Sequence, residues 1–85
     1  MRAPMSFSPE NLADLEVLMQ FNSPTGLEGI KIHTSAAPEL IAAAASLYRR
    51  GFITQVDGGY LTQLGIETAS HAHSLHDLLN SGADA

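Results

Sequence analysis

One stretch leaves this chain few ways to fold: from Pro38 to Leu61 it reads as a strong helix, a stop and a hairpin in immediate succession. Alanine, the best intrinsic helix former, fills Ala42 to Ala45. At 100° per residue, Leu40, Ile41, Ala44, Leu47 and Tyr48 make one apolar stripe, and Glu39, Ala42, Ala43, Ser46, Arg49 and Arg50 lie opposite. Gly51 stands where a left-handed residue ends a helix. Phe52 to Val56 is then rich in β-branched and aromatic residues, Asp57-Gly58-Gly59 predicts a turn, and Tyr60-Leu61 starts a return strand.

The flanks add two helices. Ser8 is placed to N-cap, Pro9 suits the first helical position, and Glu10 sits at the positive end of the dipole. Phe7 and Leu12 have the spacing of a hydrophobic staple. Leu12, Leu15 and Met19 predict a buried stripe, and Val17 and Phe21, well away from it, predict a second packing partner. Asn22-Ser23-Pro24 stops this helix. Residues 25–36 stay open between two readings. Thr25 and Glu28 have capping-box spacing, whereas Ile30-Lys31-Ile32-His33 alternates like a strand. Thr62 caps a last helix whose expected inner face is Leu64, Thr68, Ala72, Leu75, Leu78 and Leu79.

At 85 residues the chain has room for one domain, read as 6–80 with tails at 1–5 and 81–85. It has no cysteine, which excludes disulfides, thiolate metal sites and cysteine catalysis. A net charge of −5 opposes a strongly cationic nucleic-acid or membrane binder. The apolar run Ile41 to Leu47 is too short to span a bilayer, and the first residues do not read as a secretory signal. A cytoplasmic protein with no membrane partner is expected. Catalytic and nucleotide-binding motifs are missing, so neither an enzyme nor a cofactor is expected. His71, His73 and His76 do not share one helix face, so no metal site is expected; the wheel predicts His73 and His76 solvated and His71 partly buried.

The order of elements is that of a winged helix-turn-helix domain: α+β, mostly helical, with a β-hairpin wing at about 52–62 and a C-terminal helix. Leu47, Gly51, Phe52, Ile53, Asp57-Gly58-Gly59 and Leu61-Thr62-x-x-Gly65 resemble the recognition-helix-to-wing segment of bacterial MarR-like and PadR-like regulators. Met5-Ser6-Phe7-Ser8-Pro9-Glu10, Ala37-Pro38-Glu39 and Gly51 to Gln55 running into Asp57 to Thr62 are similar to a family of small uncharacterised bacterial proteins. Some members of that family are labelled DNA-binding protein, or relative of an inhibitor of DNA binding. The resemblance implies a regulatory role related to transcription, and Met5 as the natural start.

Two functions follow from the residues. As a winged-helix DNA-binding module, the chain would set Lys31, Arg49 and Arg50 on phosphate and Ser46 against a base edge. Against this, Glu39 sits at the groove-entering end and the wing tip carries no arginine. As a protein-interaction or dimerisation module, it would use the small side chains of Ala42 and Ala43, the second apolar side of the first helix at Val17 and Phe21, and His71. A homodimer is expected in either case.

Overall fold

The structure, a computed structural model, describes residues 6–21 and 28–81. Along the chain come α1 (Pro9–Met19), β1 (Ile30–Lys31), α2 (Pro38–Arg49), β2 (Ile53–Gln55), β3 (Gly58–Leu61) and α3 (Gln63–Asn80). The architecture is α+β: three helices and an antiparallel sheet in the order β1-β3-β2. No helix among the described residues is long and apolar enough to cross a membrane.

The helix ends form where the local chemistry dictates. Ser8 Oγ accepts from the Asn11 backbone N–H at 3.0 Å, and Asn11 Oδ1 accepts from the Ser8 N–H at 3.3 Å, a reciprocal capping box. At the end of α2, Gly51 takes φ +87°. Its N–H reaches the Tyr48 carbonyl, while the Phe52 N–H reaches that of Leu47. This is a Schellman closure, and it turns the chain directly into the sheet.

The hairpin is tighter than its sequence predicts. The turn falls at Val56-Asp57, and Gly58 and Gly59 already belong to β3. Both glycines have positive φ, and the register shifts by one residue between Ile53↔Leu61 and Gln55↔Gly58, which marks a bulge. β1 pairs with this bulged strand, Ile30 opposite Gly59 and Lys31 opposite Gly58. A side chain on Gly58 would run into the Ile30 carbonyl. Of the two readings of 25–36, the extended one holds at Ile30-Lys31. The helix beginning at Thr25 falls largely outside the described residues.

All three helices are rotated from the faces their apolar residues predict. α1 packs against both α2 and α3, and it buries Ala13, Val17 and Leu18, with Phe21 buried just past its end. Leu12 is 53% exposed. In α2 the buried residues are Ala43, Ala44 and Leu47, while Ile41 and Tyr48 are exposed. In α3 they are Gly65, Ala69 and Ala72, and four leucines of the expected inner face (Leu64, Leu75, Leu78 and Leu79) lie on the surface. In α2 and α3 the cause is shared. Small residues let backbones approach closely, so these helices turn alanine and glycine inward, and bulk is supplied by Val17, Phe21, Leu47 and Ile53.

Thr62 locks the last helix to the end of α2. Its Oγ1 accepts from the Gly65 N–H at 3.1 Å and donates to the Gly51 carbonyl. Thr62→Ala removes a helix cap and an inter-element bond together, and should cost about 1–2 kcal/mol in urea denaturation. Thr62→Ser, which keeps the hydroxyl, should recover most of the loss.

Candidate functional site

The packing of α1 across α2 leaves a groove of about 530 Å³ between them. Its floor is made of small side chains, Ala13, Ala42, Ala43 and Ser46. Its walls carry Glu10, Asp14 and Glu39 against Arg49 and Arg50, three carboxylates to two guanidiniums. The face of α2 expected to lie open is thus half covered: Ala42 is exposed, but Ala43 is 6% exposed and belongs to the core.

Arg50 closes one end of the groove. Its guanidinium donates to Asp14 Oδ2 at 3.0 Å, and its Nε lies 3.1 Å from Ser46 Oγ and 3.3 Å from the Ser46 carbonyl. The same guanidinium stands 5.4 Å above the Phe52 ring. One side chain therefore ties α1, α2 and the start of the hairpin. Asp14 is the partner that sequence reasoning misses. Its side chain is only 14% exposed, and no local spacing signals a pair separated by 36 residues.

Of the other proposed DNA contacts, Ser46 and Arg49 line this groove with Arg50, and Lys31 lies apart. Lys31 is on β1, where its Nζ meets Asp57 Oδ2 at 3.1 Å across the hairpin turn. It borders a separate hollow of about 230 Å³ shared with His33, Ile41 and Val56. Ser46 is engaged by Arg50. Arg49 is exposed and forms no ion pair with another described residue.

The proposed partner surface is also redistributed. Val17 and Phe21 are fully buried, so the second apolar side of α1 is its core side and offers nothing to another molecule. His71 is exposed, and His73 is the half-buried one, reversing the expected order. His73 Nε2 donates to the Phe21 carbonyl at 2.8 Å and so satisfies the backbone just past the end of α1. Nothing local announces this contact, which spans 52 positions. His76 and Asp77 lie 3.4 Å apart on exposed surface. Among the described residues, no three His, Asp or Glu side chains converge as metal ligands.

No curated protein and no solved structure matches the chain. The sequence pattern of one family does, and it covers residues 5–80, from the capping box of α1 to the last turn of α3. The chain therefore belongs to DUF5669, a family of unknown function.

Proposed function

We propose that this chain is a non-enzymatic protein-interaction module on a winged-helix frame, and that duplex DNA is not its partner. What supports the frame is the succession of helix, strand, helix, hairpin and helix, with β1 completing a three-stranded sheet beside the hairpin. The observation that carries the reading is how the cations are used. Arg50 is held by Asp14 and Lys31 by Asp57, and the groove beside α2 has more carboxylates than guanidiniums. Phosphate affinity grows with the number of backbone charges neutralised, and among the described lysine and arginine side chains only Arg49 forms no ion pair with a described carboxylate. A chain of net charge −5 then repels the duplex at distance as well as at contact. The small-residue floor instead suits close approach by a partner helix, with opposite charges at the rim to set its direction.

The test is titration of fluorescent mixed-sequence duplex at 50 mM and 200 mM salt, with the folded Arg49→Ala/Arg50→Ala variant alongside. The expected result at 50 mM salt is a Kd weaker than ~100 µM, beyond the usual non-specific range, and the same for the variant. Low-micromolar binding that collapses at 200 mM and weakens in the variant would overturn the proposal in favour of a DNA-binding regulator.

A further inference from the structure

The leucines that α3 turns away from the core are not scattered. Leu64, Thr68, His71, Leu75 and Leu78 follow one another at intervals of four, three, four and three residues, the repeat of a coiled-coil seam. At 100° per residue they share an arc about 80° wide, centred roughly 110° from the buried Gly65, Ala69 and Ala72. Leu64 is 46% exposed, Leu75 39% and Leu78 68%, with Leu79 beside them at 75%. The Thr68 hydroxyl is spent on the Leu64 carbonyl at 2.8 Å, leaving its methyl for the seam. α3 thus has two faces, one of small residues that builds the domain and one of leucines that the domain leaves uncovered.

We propose that this second face is a homodimer interface, in which α3 of one chain pairs antiparallel with α3 of a second copy. The seam is self-complementary in length. His71 lies at its midpoint, with Leu64 seven residues before and Leu78 seven after, so a two-fold axis at His71 sets Leu64 against Leu78 of the copy. The helix ends fit this direction. α3 has no acidic residue in its first turn and no basic residue in its last, so neither pole of its dipole is neutralised by its own side chains. An antiparallel copy brings each positive end beside a negative one. The seam carries no formal charge while His71 is neutral, which lets two acidic chains meet there. The midpoint histidines face each other across the axis and pin the register, as a single polar residue does in a coiled coil.

Area sets the strength. The four leucines expose on the order of 400 Å² per chain, about half of what each partner buries in a stable complex. With Thr68 and His71 added, a dissociation constant on the order of 10 µM is expected. The proposal stands apart from the reading of the α1–α2 groove, to which α3 contributes no lining residue.

Sedimentation velocity of the full chain from about 1 to 200 µM tests it, with Leu75→Asp, Leu78→Asp and, as a control on another exposed leucine, Leu12→Asp. The wild type and Leu12→Asp should pass from monomer to dimer across this range. Leu75→Asp and Leu78→Asp should each weaken the dimer at least ~100-fold, because a carboxylate at the seam is buried unpaired. Both should keep the wild-type circular dichroism, since these leucines are outside the core. If Leu75→Asp proves to disturb the fold, the more exposed Leu78→Asp decides. A wild type that stays monomeric at 200 µM overturns the proposal. So does a dimer that survives the folded seam variant, or one that Leu12→Asp dissolves equally.

Discussion

Gly65→Ala should lower the stability of this domain by about 2–4 kcal/mol, although alanine is the better helix former by up to ~1 kcal/mol. Gly65 sits in the first turn of α3, where the helix rests on Phe52, just before β2. A Cβ there would overlap the Phe52 carbonyl oxygen and press on Leu61 Cδ2 at 3.1 Å. The carbonyl has no freedom to retreat, because it accepts the Thr62 N–H at 3.0 Å. Relief requires α3 to lift from the sheet, which loosens Leu61, Ile53 and Ala69 together. Total stability for a chain of this length is on the order of 4–13 kcal/mol, so the loss is a large share. Thermal unfolding followed by circular dichroism should show a melting temperature lower by roughly 10–25 °C. A variant melting within a few degrees of the wild type would mean that α3 does not seat against Phe52 as described.

Phe21→Ala carries the other large effect, and it separates two roles for one residue. Phe21 is fully buried at the end of α1, in the cluster with Val17, Leu47 and Ile53. Its backbone carbonyl receives the His73 bond that joins α1 to α3. Removing the ring leaves a cavity at the junction of those helices, for an expected cost of about 3–5 kcal/mol. Urea denaturation at a concentration low enough to keep the chain monomeric measures it. Were Phe21 instead part of a surface meeting another molecule, the monomer's denaturation curve would be nearly unmoved and only association would change.

The contrast between these two positions explains which parts of the site could be read from the residues. The groove's charged rim includes Glu39 and Arg49 on α2 and Arg50 at its C-cap, all anticipated on one face. The other wall comes from Glu10 and Asp14 on α1, and no spacing along the chain reveals which helix will lie across α2. Lys31 and Arg50 pair with Asp57 and Asp14, carboxylates far from them in the sequence. Their partners arrive only when the hairpin turn and α1 are folded into place.

Local chemistry determined three of the helix ends. Ser8 caps α1, Gly51 ends α2 and Thr62 caps α3, because each satisfies backbone groups within a few residues of itself. The hairpin follows for the same reason, with its turn displaced to Val56-Asp57 by the bulge that the two glycines permit. Tertiary structure decided which face of each helix is inside. Hydrophobic periodicity places leucines on a stripe, but the contact that closes a small core is limited by how near two backbones can come. Ala43 and Ala44, Gly65, Ala69 and Ala72 allow that approach, and Leu12, Leu75 and Leu78 do not. The large residues left outside are the consequence, and on α3 they fall into the order that a second helix would match.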